Sequence, residues 1–404
     1  SQLGKRCGEI GQVCQSNGTC RCDASSCGEC GACGADGTCG ELCGGVGCCD
    51  GATCQPGDEN GACGTGGNAC AVCSGQDTCQ DGTCTCTPIT TCPPPFNCGT
   101  ISDGCGGTVN CGTCDDSKPV CVDNICTACS SDSQCSNNQW CDQGSCRVCD
   151  VCPSGCAYFS PQAAIEDASA GSTLHICAGS YAPITVVKNL TLIGQGRGDE
   201  PAVDTIFDAE GTGTVVTIPV GVTATLANLR ITGGGSGGVF CRGDVTLNRC
   251  VVMGNERFTG AGGGGLLSAG SATLSECIVR ENHAFQAGGI HHEGSGTLTL
   301  NNTLVTRNQA DRAAGGVAAG NILAGISTVH IFNGSAITRN SAGTDGGGLL
   351  QTPFAKTTLD SSVEITGNVA NEGGGIYAES DRMLNINGAT VEGNEPNNCV
   401  GVVC

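Results

Sequence analysis

Aromatic and basic residues are scarce in this chain of 404 residues, which holds 8 Phe, 3 Tyr and 1 Trp. Lys and Arg number 17 against 38 Asp and Glu, so the formal net charge is −21. Because such a charge opposes contact with polyanions, we expect no nucleic-acid partner. No segment approaches the roughly 18 consecutive apolar residues of a membrane-spanning helix, and we predict no membrane insertion.

Cysteine, in contrast, is abundant and unevenly distributed. The chain has 38 Cys, of which 32 lie in residues 1–156. A reducing cytosol does not sustain so many thiols, so this composition predicts disulfide bonds and an extracellular or cell-surface location. The first residues, SQLGKRC, lack the pattern of a signal peptide. We therefore expect a mature chain from which a signal peptide has been removed.

The cysteine-rich arm divides into a region at 1–85 and further small disulfide-stapled modules at 86–155. Each of three short phrases carries an Asn-Gly or Asp-Gly pair, which favours a two-residue hairpin turn. They are Asn17-Gly18-Thr19-Cys20, Asp36-Gly37-Thr38-Cys39 and Asp81-Gly82-Thr83-Cys84. Residues 86–114 hold six cysteines, enough for three internal bridges, but six cysteines allow 15 pairings and the connectivity stays open. The arm has no His, which favours disulfides over zinc, and no metal is predicted.

The remaining residues, 156–404, contain an internal repeat of about 27 residues. A pair of glycines followed by an aliphatic strand recurs at Gly237-Gly238, Gly264-Gly265, Gly288-Gly289, Gly315-Gly316, Gly347-Gly348 and Gly374-Gly375. Each unit ends in a phrase that terminates in asparagine, at Asn255, Asn282, Asn308, Asn340, Asn368 and Asn394. With a further strand between the two phrases, each unit has three short strands and three turns.

A repeat of this length with three strands predicts one coil of an all-β, right-handed parallel β-helix. Successive coils stack about 4.8 Å apart, so equivalent side chains form columns. The recurring asparagines are expected to form an internal amide ladder that holds the turns. The role predicted for this ladder is structural rather than catalytic.

Two stretches resemble known families. The segment Ser160–Ala168, followed by Ile176-Cys177-Ala178-Gly179, resembles the opening of pectin-lyase-like right-handed β-helix proteins. Residues 233–394 resemble the repeats of polymorphic outer-membrane proteins, which pair a GGA/GGG-aliphatic phrase with an x-x-x-Asn phrase. The resemblance implies roughly nine coils and an amphipathic cap helix at 161–169. It implies a fold rather than an activity.

Six cysteines of the β-helix region are expected to form disulfides. Cys399 and Cys404 can close a cap over the last coil, and Cys156 with Cys177 can tie the cap helix to the first coil. Cys250 and Cys277 occupy the same place in successive coils, near the separation that a disulfide requires. The pair Cys241–Cys250 is an alternative, and the partner of Cys241 stays open.

Catalytic side chains are not evident in the repeats. Glycoside hydrolysis needs two carboxyl groups at a defined separation, and the acidic residues fall in turns or at differing phases. We therefore predict no catalytic residue and no cofactor. In the pair His291-His292, alternation along a strand sends the two rings to opposite faces, which predicts a structural or surface role. Arg280, Arg307 and Arg339 form a predicted row of stacked cations, read as a solvated charged row with a possible role in glycan binding.

Four Asn-x-Ser/Thr sequons are candidate N-glycosylation sites, at Asn17, Asn189, Asn301 and Asn333. Together these features favour a non-enzymatic extracellular structural or adhesive protein. We expect it to assemble with copies of itself into a head-to-tail filament, appendage or matrix. The alternatives are a polysaccharide-active lyase or hydrolase and an adhesin for acidic extracellular glycans.

Overall fold

The computed structural model divides into two compact units, residues 1–128 and 129–404. It describes residues 47–404 except 51–52, 67, 76, 137, 259, 261, 321–325 and 381–382, together with the strands at 13–14, 20–21, 31–33 and 39–41. Within the described residues, no helix has the length and apolar character needed to cross a membrane.

The described part of the first unit consists of small antiparallel two-stranded hairpins. The paired strands are Val13–Cys14 with Cys20–Arg21, Gly31–Cys33 with Cys39–Glu41, Cys48–Asp50 with Thr53–Gln55, Asp58–Glu59 with Ala62–Cys63, Asp77–Gln80 with Thr83–Cys86, Gly99–Ser102 with Thr108–Gly112, and Val120–Val122 with Ile125–Thr127. At the Asp81-Gly82 turn, φ is +47° and +71°, as the predicted hairpin turn requires. The turn residues of the other two predicted phrases lie outside the described residues.

Disulfides connect these hairpins along the first unit. The described pairs are Cys48–Cys70, Cys63–Cys79, Cys73–Cys84, Cys86–Cys105, Cys92–Cys111, Cys98–Cys121 and Cys114–Cys126. The expectation of three bridges within residues 86–114 is wrong, because Cys98 and Cys114 pair with cysteines beyond that segment. The hairpin at 120–127 is therefore covalently joined to the preceding module.

The second unit begins before the β-helix itself, so the predicted boundary at 155/156 falls inside it. A 3₁₀ turn at Asp132–Gln134 precedes a hairpin of Gln139–Asp142 and Ser145–Val148. The disulfides Cys129–Cys141 and Cys135–Cys146 cross-link this segment.

The predicted cap helix is present at Pro161–Asp167, with Ala164 and Ile165 buried in the core of the β-helix. The predicted pairing of Cys156 with Cys177 is wrong. Cys156 bonds to Cys152 only four residues away, while Cys177 of the first coil bonds to Cys149. The first coil is thus tied to the hairpin segment that precedes the cap helix, rather than to the cap region itself.

The body of the second unit is a parallel β-helix, whose nine coils contribute one strand each to three sheets. The first sheet contains Thr173–Ile176, Leu190–Gly194, Thr223–Ala227, Asp244–Asn248, Ala272–Ser275, Thr297–Asn301, Ser327–Phe332, Ala355–Leu359 and Leu384–Asn385. The second contains Gly179–Tyr181, Thr205–Asp208, Arg230–Thr232, Val251–Met253, Ile278–Arg280, Leu304–Thr306, Ala336–Thr338, Glu364–Thr366 and Thr390–Glu392. The third contains Ile184–Thr185, Val216–Ile218, Val239–Cys241, Leu266–Ser268, Ile290–His292, Val317–Ala319, Leu349–Gln351, Ile376–Ala378 and Cys399–Val400.

The interior of the coils is a single continuous apolar core. In the first sheet, strand alternation places a column of aliphatic side chains inside, and the register pairs them directly from coil to coil. Leu247, Leu274 and Leu300 are fully buried members of this column. Because aliphatic side chains stack on aliphatic side chains, the strand between the glycine phrase and the asparagine phrase keeps its alternation of apolar and polar residues.

Two further features of the β-helix are a short fourth sheet and a disulfide at the last coil. A short fourth sheet lies in the turns between the second and third sheets and contains Glu256–Arg257, His283–Ala284, Gln309–Ala310 and Ser341–Ala342. At the last coil, the predicted disulfide between Cys399 and Cys404 is present.

Candidate functional sites

The predicted asparagine ladder runs through the buried corner between the second and third sheets. The six side chains are at most 7 % exposed. Each Nδ2 donates to the Oδ1 of the next asparagine at 2.9–3.0 Å. Each backbone N–H donates to that same oxygen at 2.9–3.1 Å. At the far end, Asn394 donates in the same way to Asn398, a member that the repeat pattern did not reveal.

The second glycine of each Gly-Gly pair lies against this ladder. A Cβ built on Gly316 would meet Gly348 O at 2.5 Å and Asn340 Nδ2 at 3.1 Å. A Cβ built on any of the other five second glycines would likewise lie 2.7–3.1 Å from a ladder Nδ2. The glycine phrase and the asparagine phrase of each repeat are therefore two halves of one packing arrangement.

A second buried column occupies the corner between the first and second sheets, and its members are Cys250, Cys277, Thr303 and Ser335. The thiol of Cys277 lies 3.3 Å from Leu247 O and Ser275 O, and Thr303 Oγ1 donates to the equivalent carbonyls of Leu274 and Asn301. The backbone N–H of each of the first three donates to the side chain of the next. In this column, sulfur takes the place of a hydroxyl oxygen.

The predicted Cys250–Cys277 disulfide is wrong, as is the alternative pairing with Cys241. All three are free, buried thiols. Cys241 belongs to a third corner column, in which a side chain donates to a carbonyl of the following turn: Cys241 to Gly243, Ser268 to Gly270, His292 to Gly296 and Gln351 to Ala355. Burial raises the pKa of Cys241 to about 12, so its thiol is protonated and unreactive at neutral pH.

His291 lies in the outer column of the third sheet, between Leu267 and Ala318. The turn above it passes so close that a Cβ on Gly263 would lie 2.8 Å from His291 N. His291 is 8 % exposed, and its Nδ1 has no hydrogen-bond partner among the described residues. The buried Nε of Arg257 also lacks one. Burial, together with the charges of His292 and Arg257, lowers the pKa of His291 to about 4. His291 is therefore a neutral, structural histidine.

The arginine row is displaced from its predicted alignment. Arg280 pairs in register with Thr306, which in turn pairs with Thr338, so Arg307 and Arg339 stand one residue later in their coils. Arg280 donates to both oxygens of Glu281 at 2.9 Å, and Arg307 lies 3.6 Å from the same carboxylate. Two of the three predicted cations are thus paired with an intervening acid.

The positions that precede the ladder asparagines share one backbone conformation. φ is +53° to +64° at Gly254, Glu281, Arg307, Arg339, Gly367 and Gly393. Three coils use glycine there, and three use a charged residue. The predicted row was misaligned because Arg280 occupies the strand position before this turn position, whereas Arg307 and Arg339 occupy the turn position itself.

Three of the four sequons lie in the described residues, and Asn17 lies outside them. Asn189 is exposed, and its Oδ1 accepts a hydrogen bond from Thr223 N at 2.8 Å. Asn301 and Asn333 stand one coil apart, with Asn333 Nδ2 donating to Asn301 Oδ1 at 2.8 Å. Their sequon partners Thr303 and Ser335 are the buried hydroxyls of the second corner column.

The hairpin segment packs on the first coils through Trp140 and His175, whose rings stack 3.6 Å apart and nearly parallel. A cleft of about 470 Å³ lies beside this contact, and its lining includes the polar side chains of Asp132, Gln139 and Gln195. Gln195 donates to Gln139 O at 2.5 Å and accepts from Ala178 N at 2.8 Å. The bond to Gln139 joins the hairpin segment to the β-helix, and the bond from Ala178 orients the Gln195 side chain that makes it.

An exposed aromatic patch lies on the turns beside the fourth sheet and consists of Phe258, His283, Phe285, Asp311 and Arg312. Phe258 and Phe285 are 47 % and 41 % exposed. His283 meets Phe258 edge-on at 4.7 Å between ring centroids and bonds to Asp311 Oδ1 at 2.8 Å. Arg312 lies 5.7 Å from the Phe285 ring centroid. The sequence does contain a signal for this patch, because each phenylalanine stands three residues after a ladder asparagine.

Three groups of three cysteines have sulfurs close enough to hold a metal ion: Cys63, Cys73 and Cys84; Cys98, Cys114 and Cys121; and Cys129, Cys135 and Cys146. Every one of these cysteines is part of a disulfide bond. A disulfide sulfur has no thiolate to offer a metal, so these nine cysteines serve as cross-links.

No protein-family model, curated protein or solved structure matches this chain. The stacked coils establish the β-helix from the structure itself, and the finer resemblance to pectin-lyase-like and outer-membrane repeats stays a prediction.

Proposed function

We propose that this chain is a non-enzymatic structural and adhesive protein of an extracellular surface, which assembles with copies of itself. The twelve disulfides among described residues fit an oxidising compartment. The asparagine ladder and the column of Cys250, Cys277, Thr303 and Ser335 suit a rigid building element, since they tie coil to coil beyond the sheet hydrogen bonds.

The observation that carries the proposal is the incompletely covered last coil. Val391 pairs in register with Ile365, which is fully buried, yet Val391 itself is only partly covered. Leu384 and Ile386 are likewise only partly covered. Within the described residues, the strands of this coil are the outermost of their three sheets, and an unpaired strand edge favours pairing with another chain. We assign this end to a second copy of the chain, and a contact of this head-to-tail kind extends into a filament.

The paired arginines favour this function over binding of acidic glycans. A polyanion would need free cations on the surface, whereas Glu281 neutralises part of the charge of Arg280 and Arg307. No contact described above favours a lyase or hydrolase in its place.

Electron microscopy of the purified, unreduced protein tests this function, with a reduced sample alongside. Regular filaments that come apart on reduction support it. The variant Val391→Asp places a charge in the last coil and should abolish filaments, whereas the outward-facing Glu392→Lys should retain them. Dispersed single molecules of the unchanged protein would contradict the assembly role.

A further inference from the structure

We propose that the aromatic patch binds a neutral β-linked glycan, which deepens the proposed adhesive role by naming a ligand class and a site. Two exposed phenylalanines at equivalent positions of successive coils are unusual in a chain with 12 aromatic residues. Isolated exposed apolar residues need no explanation, but here two occur side by side with hydrogen-bonding groups around them.

The geometry places the two phenylalanines one coil apart. Arg257 and Ala284 pair in the fourth sheet, and Phe285 N donates to Arg257 O at 2.9 Å. Coils stack at about 4.8 Å, which is close to the length of one pyranose residue along an extended chain. The rings can therefore underlie neighbouring sugar residues.

The chemistry of the patch matches both the apolar face of a sugar ring and the hydroxyl groups at its edge. The face of an aromatic ring is negatively polarised and attracts the polarised C–H groups on the apolar face of a pyranose. Arg312, whose guanidinium lies over one face of the Phe285 ring, offers donors, and Asp311 offers acceptors, for the hydroxyl groups at the sugar's edge. His283 is held to Asp311 at 2.8 Å, which orients this polar rim.

The size and charge of the patch decide between possible occupants. A stable protein interface buries about 800 Å² on each partner, far more than two half-exposed rings supply. A polyanionic glycan would approach a chain with a net charge of −21, which repels it. A neutral oligosaccharide needs neither a large surface nor a cationic one.

Titration calorimetry on the full chain tests the site, with cellohexaose and chitohexaose as neutral probes and an oligogalacturonate as the acidic probe. We expect binding of a neutral probe that weakens about tenfold with Phe258→Ala or Phe285→Ala and is lost in the double variant. Phe159→Ala removes a ring that is 66 % exposed elsewhere in the same unit and should leave binding unchanged.

Several results would overturn the inference: no binding of either neutral probe, binding of the acidic probe alone, or neutral binding that survives in the double variant. Sedimentation of the same proteins shows whether the rings hold a second copy instead, and a dimer lost with Phe258→Ala/Phe285→Ala would also overturn it. Failure here is separable from failure of assembly, because filaments are scored by microscopy without sugar. Glycan binding is scored by the heat of titration, whether or not filaments form.

Discussion

Gly316 and Asn340 lie in successive coils and face each other at one corner of the β-helix, with only 3.1 Å between the position of a Cβ on the glycine and the amide nitrogen of the asparagine. Gly348 O stands closer still, at 2.5 Å from that position. The glycine is required here by close approach.

Gly316→Ala is therefore expected to destabilise the β-helix. The added methyl group must displace backbone as well as the amide, which costs about 1–3 kcal/mol. Thermal unfolding followed by circular dichroism measures the loss. The control is Thr299→Ala, an outward-facing change in the first sheet that should stay within about 0.5 kcal/mol. Equal melting temperatures for the two variants would refute the packing argument.

Asn340→Ala removes a fully buried amide that makes several hydrogen bonds. Its Nδ2 donates to Asn368 Oδ1 and Val305 O at 2.9 and 3.0 Å, and its Oδ1 accepts two bonds from Asn308. Because the truncation leaves buried groups unpaired, we expect a loss of about 3 kcal/mol or more in the free energy of unfolding, read from a denaturant titration. Asn371→Ala, which removes one exposed bond to Gly343 O, is the matched control. A ladder variant no less stable than this control would contradict the role of the column.

His291 should make stability depend on pH. Its pKa of about 4 in the folded chain lies below the unfolded value of about 6.5. The unfolded state therefore binds the proton more readily, and stability is complete above pH 6.5 and falls as the pH drops towards 4, by roughly 3 kcal/mol in total.

Unfolding titrations at several pH values check this, with His291→Leu expected to reduce the slope between pH 4 and 6.5; His292 and His175, whose pKa values burial also lowers, account for the slope that is left. His330→Leu changes an outward-facing histidine of the first sheet and should leave the wild-type slope. If His291→Leu keeps that slope too, the buried ring is not the cause.

Cys277 should accept threonine better than valine. The two replacements have nearly the same shape, but only threonine can restore the bonds to Leu247 O and Ser275 O. We expect Cys277→Thr to exceed Cys277→Val in unfolding free energy by about 1 kcal/mol. Denaturant titration of both variants under identical conditions gives the difference. A valine variant as stable as the threonine one would show that the thiol acts only by filling space.

The sequence predicts the coil and its asparagine corner well because their signals repeat. The same glycine pair and the same terminal asparagine recur in six units, and each repetition reinforces the same period. The predicted Cys250–Cys277 disulfide was wrong because spacing alone cannot distinguish a free thiol, which replaces a hydroxyl group, from a thiol that forms a disulfide. Thr303 and Ser335 occupy the next two positions of the column, and their hydroxyl groups indicate that a hydrogen-bonding side chain belongs there.

Other features have a weak or local sequence signal and were not predicted for that reason. The fourth sheet is made of two-residue strands without an alternating pattern. Phe258 and Phe285 occupy the same repeat position in two successive units, but in the following unit that position holds Asp311. The pairing of Cys177 with Cys149 joins the β-helix to residues outside the repeat, so the period holds no information about it.

The asparagine column also restricts how such a chain can change in length. Each amide occupies the donor of one neighbour and the acceptor of the other, so removing part of a coil leaves two amides that no longer meet. Removing everything from one ladder asparagine to the next, such as residues 309–340, brings Asn308 against Asn368 and restores the series. Insertions and deletions within the β-helix therefore preserve the ladder only when they add or remove whole coils. Loops can vary in length only between the corners.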